Sequence, residues 1–178
     1  MTAGAGQAAV IFDSGSVTFA PAGTQLGRLF RDGVPSDWSG PKIFPGVINP
    51  ATRYSYELFT LNAGPYSFIQ INFDDPAAAF FISAYLGSFN PASLAGNYLG
   101  DPGLSQPFGN PSFFQIEVAP FTTLALSVNE TASGGGTGRT IDVLVEGFFD
   151  TEFNDVPEPS SMLLLSGGFC LIALLRKR

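Results

Sequence analysis

The chain has 178 residues, lacks histidine and holds one cysteine, Cys170, so histidine-dependent triads and cysteine-based metal sites are excluded from the rest of the chain. Its net charge is −7, and the first 155 residues carry 14 carboxylates against five cations, which argues against binding to nucleic acid. The 13% share of charged residues, with 21 glycines and 14 prolines, favours an all-β domain with many turns over a helical bundle.

Residues 1–9 are a start made mainly of small residues. They contain neither the basic region nor the apolar run of a complete signal peptide. Since they resemble the small-residue end of such a peptide, one hypothesis is that the true start lies upstream and the leader is missing here. The alternative is a flexible terminus, and both stay open.

Residues 10–150 show the alternating apolar and polar pattern of β-strands. In one of these strands Ile69, Ile71 and Phe73 share a face, with Gln70 and Asn72 opposite. The number and spacing of the strands predict an antiparallel β-sandwich or jelly roll of about seven to nine strands. The predicted strands are 16–19, 54–61, 66–73, 79–86, 113–118, 122–129 and 141–148.

Three longer connections separate these strands. Residues 33–50 hold four prolines and Trp38 and predict a long loop. Residues 87–110 predict a packed loop with a helical turn at 91–96. Residues 133–138 include four glycines and predict a flexible turn, because a phosphate-binding loop would need a following lysine and a helix. The segment 79–86 is apolar on both faces, which predicts a central strand.

The tail has three parts in order. Residues 151–161 form a linker that contains Pro157, Glu158 and Pro159. An uncharged apolar segment runs from Met162 to Leu175, and as a single transmembrane helix it would span about 21 Å, short of a hydrocarbon core of roughly 30 Å. A simple tail anchor is one alternative, whereas a core helix is disfavoured because the segment is apolar all round. The segment 162–178 ends in three cations, Arg176, Lys177 and Arg178. By the positive-inside rule, these cations are expected to keep that end in the cytoplasm.

This order of parts resembles the PEP-CTERM sorting signal of Gram-negative bacteria over about 23 residues. The resemblance implies recognition by an exosortase at the membrane, with cleavage near Pro157-Glu158-Pro159. It also implies an extracytoplasmic protein, anchored in the cell envelope before processing and then placed at the cell surface or in an exopolysaccharide or biofilm matrix. Extracellular polysaccharide is therefore an implied partner.

The body carries a second resemblance, in residues 81–101, 128–130 and 143–147. These segments are similar to a β-sandwich module of secreted bacterial proteins that is related to pre-peptidase C-terminal jelly rolls. The likeness spans about 95 residues and implies an accessory domain without catalytic activity. Some relatives bind Ca²⁺ or polysaccharide, but no ligand residue can be carried over.

Two groups of side chains suggest a ligand. The adjacent carboxylates Asp74 and Asp75 are the candidate metal ligands, for Ca²⁺, and the alternative is a solvated turn after a strand. Five aromatic residues could stack on sugar rings or pack in the sandwich, where such residues are more often buried. They are Trp38, Tyr54, Tyr56, Tyr85 and Tyr98.

No pattern of residues selects a catalytic pair. Glu117, Asp142 and Glu146 alternate with apolar residues and are predicted on the solvent faces of strands, while acidic residues of the linker are interpreted as solubilising charge. The sequence therefore predicts a non-enzymatic exported protein with a structural or adhesive role and no cofactor. The alternatives are a carbohydrate- or Ca²⁺-binding module and a hydrolase that uses two carboxylates.

Overall fold

Nine β-strands account for the regular structure in this computed structural model, which describes residues 8–105 and 112–149. Antiparallel pairing joins every strand to its neighbours. The strands are β1 (Ala9–Thr18), β2 (Gly23–Leu29), β3 (Val47–Asn62), β4 (Phe68–Asp74), β5 (Phe80–Leu86), β6 (Tyr98–Gly100), β7 (Ser112–Glu117), β8 (Thr123–Glu130) and β9 (Thr140–Phe148).

The strands form two sheets. The first sheet has the order β1-β9-β4-β7, and the second sheet has the order β2-β3-β8-β5-β6. Their inner faces meet in one core, to which the first sheet contributes Ile71, Phe114 and Val145 and the second sheet contributes Phe80 and Leu126. The all-β prediction is therefore confirmed for the described residues, with two antiparallel sheets and a strand count inside the predicted range.

Strand β4 shows how the sequence pattern sets the faces of the first sheet. Side chains alternate across a strand, so Ile69, Ile71 and Phe73 all point into the core, where each is at most 2% exposed. Gln70 and Asn72 occupy the opposite face, as predicted. In the second sheet, β5 lies between β8 and β6 and is buried on both faces, which agrees with its apolar sequence.

Four strands differ from the predictions. β2 and β6 were not predicted, and β3 begins at Val47, inside the segment predicted to be a long loop. β2 lacks the alternating pattern of apolar and polar residues, because it buries the polar Gln25 and Arg28. Its register with β3 is also irregular around Gly27, whose φ is +73°. β1 is also longer than predicted, since two register shifts interrupt its pattern.

The helical prediction at residues 91–96 was wrong, because hydrogen-bonded turns occupy this segment. The Ser93 amide donates to the Asn90 carbonyl, and the Gly96 amide donates to the Ser93 carbonyl. No helix occurs in residues 8–105 or 112–149. The predicted transmembrane helix lies outside the described residues.

Loops cover the outer face of the second sheet. The Phe89 ring, from the loop after β5, lies edge-on to Tyr56 and Tyr85 on that face. Phe81 packs there with Leu29 and Leu94 in a second, smaller apolar cluster. The central strands β5 and β8 of the second sheet are therefore buried on both sides, whereas Leu58 and Thr60 on β3 stay exposed.

Ser36 joins the two sheets at the flank where β6 and β7 end the sheet orders. Its amide donates to the Asp101 carbonyl, one residue beyond β6, and its carbonyl accepts from the Gln115 amide in β7. Gly100 lies against the Ser36 hydroxyl, and a Cβ there would collide with it. The segment around Ser36 therefore closes this flank with main-chain hydrogen bonds.

Candidate functional site

The residues predicted to carry the sorting signal lie outside the described residues. These are the motif Pro157, Glu158 and Pro159, the apolar segment 162–175, and the basic end Arg176, Lys177 and Arg178. The acidic linker residues Asp150, Glu152 and Asp155 also lie outside them.

The candidate metal ligands Asp74 and Asp75 have different surroundings. Asp74 is exposed at the end of β4, whereas Asp75 is only 1% exposed and accepts a hydrogen bond from the Phe80 amide at 2.7 Å. Burial raises the pKa of Asp75, although hydrogen bonds from backbone amides oppose this shift. Asp75 thereby holds the turn between β4 and β5, in which Ala78 has a φ of +51°.

Asp74 is associated with other carboxylates of the first sheet. It stands beside Asp142 in the register of β4 and β9. Desolvation raises the pKa of Asp142, and the negative charges of Asp13 and Asp74 raise it further. Within residues 8–105 and 112–149, no group of three or more acidic or cysteine side chains is placed to hold a metal ion. A Ca²⁺ site at Asp74 and Asp75 stays a prediction.

The most highly organised charged cluster centres on Lys42, in the loop between β2 and β3. The Lys42 ammonium lies 2.6 Å from Asp101 Oδ1 and 2.9 Å from Asp32 Oδ1. Asp101 is fully buried, and it also accepts hydrogen bonds from the Gly103 amide and the Tyr98 hydroxyl. Every buried charge in this cluster therefore has a partner, as a buried charge requires.

Two pKa shifts describe how the Lys42 cluster is held. Partial burial opposes ionisation of Asp32, but the hydrogen bond and charge of Lys42 outweigh it and lower the pKa of Asp32. Burial and the negative charge of Asp101 raise the pKa of Tyr98, so its hydroxyl stays protonated and donates to Asp101. No sequence pattern predicted this cluster, because Lys42 and Asp101 are 59 residues apart.

A small cleft lies next to the Lys42 cluster. Its volume is about 90 Å³, below the 300 Å³ or more that is usual for sites of organic ligands. Asp37 on its rim has a lowered pKa, since the Ser39 hydroxyl and amide donate to its carboxylate. Asp37 is thus ionised at neutral pH and does not offer a proton for general acid catalysis. The polar lining comprises Ser36, Asp37, Lys42, Tyr98, Gln115 and Glu117.

The five aromatic residues considered for sugar stacking all pack against the protein. Tyr54 and Tyr85 are buried, and the other three are half-buried. The Trp38 ring lies edge-on to Phe68 and Phe148, and its indole N–H donates to the Ile69 carbonyl at 3.4 Å. Burial or partial burial in the sandwich, which the sequence favours, is therefore confirmed for all five residues.

A polar row crosses the outer face of the first sheet. Glu146 on β9 accepts a hydrogen bond from the Asn72 amide at 2.9 Å, and Gln70 links Asn72 to Gln115 on β7. These four side chains, here called the polar row, are partly exposed. Glu117, Asp142 and Glu146 all occupy this outer face, which confirms their predicted position.

The glycine-rich turn between β8 and β9 winds around a buried carboxylate. Glu130 is 2% exposed and accepts hydrogen bonds from the amides of Ser55, Gly134 and Gly136 at 3.0–3.1 Å. A Cβ on Gly136 would approach the Phe80 ring to 2.6 Å, so this position excludes side chains. The predicted turn is confirmed, and its glycines let the backbone approach the carboxylate and the core.

The comparison with known families concerns the end of the chain. Residues 155–178 match the family described as the PEP-CTERM protein-sorting motif. The chain carries a PEP-CTERM sorting signal. This signal makes the chain an exported protein that an exosortase sorts at the membrane, and it confirms the resemblance drawn from the sequence.

No curated protein and no solved structure matches the chain. The likeness of the body to pre-peptidase C-terminal modules therefore has no support beyond the sequence segments named above. In residues 8–105 and 112–149, no helix is long and apolar enough to cross a membrane. The PEP-CTERM signal at residues 155–178 implies extracytoplasmic sorting.

Proposed function

We propose that this chain is an exported, non-enzymatic β-sandwich protein with a structural or adhesive role at the cell surface or in the exopolysaccharide matrix. The observation that carries this proposal is the PEP-CTERM motif at residues 155–178, because it couples the β-domain to export and sorting. The body is acidic, with 14 carboxylates against five cations in the first 155 residues, and such a charge favours solubility outside the cell.

The roles of three buried carboxylates support a structural rather than a catalytic body. Asp75 holds the turn between β4 and β5, and Glu130 holds the turn between β8 and β9. Asp101 binds Lys42 and fixes two loops beside the second sheet. Each of these carboxylates is engaged with backbone amides or a lysine, an arrangement that orders loops instead of presenting a reactive group to a substrate.

The strand order supports a jelly roll. With β2 set aside, the remaining eight strands form two four-stranded sheets, β1-β9-β4-β7 and β3-β8-β5-β6. A jelly roll consists of eight antiparallel strands in two such sheets. The body would then be a scaffold whose exposed strands and loops meet other components of the cell surface.

The second candidate is a carbohydrate-binding module, and the polar row favours it. Gln70, Asn72, Gln115 and Glu146 place amide and carboxylate groups side by side on a partly exposed sheet face. Such groups can donate to and accept from sugar hydroxyls. Binding of the purified body to a glycan array, lost in Asn72→Ala and retained in Thr60→Ala on β3, would favour this candidate over a purely structural role.

The sorting proposal is tested by replacing Pro157, Glu158 and Pro159 with alanine in the full chain. We expect the variant to stay in the membrane fraction at its unprocessed mass, because an exosortase would no longer recognise it. The matched control replaces the neighbouring Ser160 and Ser161 with alanine and should be processed and located normally. Mass spectrometry of membrane and extracellular fractions measures both, and unchanged processing of the first variant would contradict the proposal.

A further inference from the structure

Arg28 on β2 is a buried cation without the hydrogen-bond partners that buried charges normally have. Its relative exposure is 7%, and its Nε and Nη1 atoms are both buried without an acceptor. The Tyr54 ring lies 6.0 Å from the guanidinium carbon, which gives the cation an aromatic neighbour. That ring supplies no carboxylate or carbonyl to the unpaired N–H groups. Since burial of an unpaired charge is costly, these donors point to a missing acceptor.

Arg31 adds a second cation at the same place. It follows Arg28 by three residues and is partly buried, and desolvation together with the positive charge of Arg28 lowers its pKa. Its Nη1 donates to the hydroxyl of Ser105 at 2.7 Å. That hydroxyl still has its own proton to donate.

The surrounding charge makes this pair unusual for the chain. Two of the five cations of an acidic body lie together here, and both ion pairs shown among residues 8–105 and 112–149 belong to Lys42 instead. Two adjacent cations repel each other, and an anion between them would relieve that repulsion. Guanidinium groups are also the side chains best suited to oxygen anions, because their N–H groups match the geometry of carboxylate and related groups.

We propose that Arg28, Arg31 and the hydroxyl of Ser105 form a binding site for an oxyanion of the carboxylate or sulfate class. The unpaired N–H groups of Arg28 form the buried end of the site. Arg31 forms the more exposed side, through which the ligand enters. This site is independent of the sorting signal, so its failure would leave the sorting proposal unaffected.

The test is isothermal titration calorimetry on the purified protein at constant ionic strength, adjusted with sodium chloride because exposed charges are screened by salt. The probes are sodium sulfate, sodium acetate and sodium galacturonate, with galactose as the neutral control. We expect saturable binding of at least one anion and none of galactose. Galacturonate bound at least tenfold more tightly than acetate would assign a sugar-borne carboxylate, whereas equal affinities would assign a simple oxyanion.

The variants are Arg28→Met and Arg31→Met, with Arg139→Met as the matched control. Arg139 is an exposed arginine in the turn between β8 and β9, outside the proposed site. We expect at least tenfold weaker anion binding in both site variants and unchanged binding in Arg139→Met. If Arg28→Met does not fold, the partly exposed Arg31→Met decides. Wild-type protein that binds no anion, or a folded site variant with unchanged affinity, would overturn the proposal.

Discussion

The outer faces of the two sheets differ in what lies against them. On the first sheet, the polar row of Gln70, Asn72, Gln115 and Glu146 is partly exposed and hydrogen-bonded within itself. On the second sheet, the corresponding face is covered by loops, with Phe89 packed against Tyr56 and Tyr85. The first sheet therefore has a buried face and a solvent face, whereas the central strands β5 and β8 of the second sheet are buried on both faces.

This difference changes how a polar residue in a strand should be interpreted. On β8, Leu124, Leu126 and Val128 point into the core, while Ser127 and Asn129 point outward and are still only 1% exposed. An alternating pattern normally indicates a solvent face. Here the loops over the second sheet bury the polar side chains of β8 as well. The alternating pattern therefore predicted the strand correctly, but it did not predict that the outward-facing side chains are buried.

The largest expected loss of stability comes from replacing a phenylalanine on the covered outer face, compared with one on the exposed outer face. Phe81 is 1% exposed beneath the loops of the second sheet, and Phe113 is 53% exposed on the first sheet. We expect Phe81→Ala to lower the free energy of unfolding by about 3–5 kcal/mol, because it leaves a cavity. Phe113→Ala should cost about 1 kcal/mol or less. Urea denaturation measures both, and similar losses would show that the two faces are not differently covered.

A smaller loss is expected at the ion pair that fixes the loops beside the second sheet. Asp101→Asn leaves the Lys42 ammonium without its fully buried partner and should cost about 3 kcal/mol in urea denaturation. Adding Lys42→Met to this variant should restore part of the loss, since the uncompensated charge is then gone.

The control for this ion pair is Asp37→Asn, which changes an exposed carboxylate of the same loop and should have a smaller effect. A loss in Asp101→Asn no greater than in Asp37→Asn would argue that the pair does not hold the loops.

The smallest expected change in stability concerns Asp142, which lies near Asp13 and Asp74 on the first sheet, and this change depends on pH. Burial and the charges of Asp13 and Asp74 raise the pKa of Asp142, so the folded protein holds this proton more tightly than the unfolded chain does. Ionisation of Asp142 therefore lowers stability as the pH rises above about 4. Asp142→Asn should be more stable than the wild type at neutral pH by less than about 1 kcal/mol, and the difference should vanish in acid.

Asp37 provides a control of opposite sign for this pH dependence. Hydrogen bonds from Ser39 lower the pKa of Asp37, so its ionised form stabilises the folded state. That contribution is present above the ordinary range of an aspartate and is lost as the pH falls through the lowered pKa. Asp37→Asn should therefore be less stable than the wild type at neutral pH. Thermal unfolding from pH 3 to pH 7 measures the stability of each variant relative to the wild type. With rising pH this difference should increase for Asp142→Asn and decrease for Asp37→Asn, and a change of the same sign in both would contradict the two assignments.

How far the sequence predicts the fold depends on how locally each strand is determined. β4 was predicted because Ile69, Ile71 and Phe73 alternate with polar residues, which is visible within seven positions. β2 was missed since its burial of Gln25 and Arg28 depends on the loops and strands that surround it. β6 has only three residues, too few for any periodic pattern.

The same distinction applies to the sites. The sorting signal is a continuous segment whose parts are adjacent in the chain, so the signal could be identified from the sequence, and the family match at residues 155–178 confirmed its presence. The Lys42 cluster joins residues 10 and 59 positions apart, and the Arg31 contact with Ser105 spans 74 positions. Only the folded chain brings such side chains together.

The closure of one flank by Ser36 has a consequence for assembly between copies. An unpaired sheet edge can accept a strand from a neighbouring molecule, and proteins that are crowded at a surface meet such neighbours often. The Ser36 amide and carbonyl occupy main-chain groups beside β6 and β7, so that flank is protected against strand addition. Among the described strands, β1 and β2 stand at the opposite ends of the two sheets, so main-chain pairing between copies is expected there, and copies would then join along one direction.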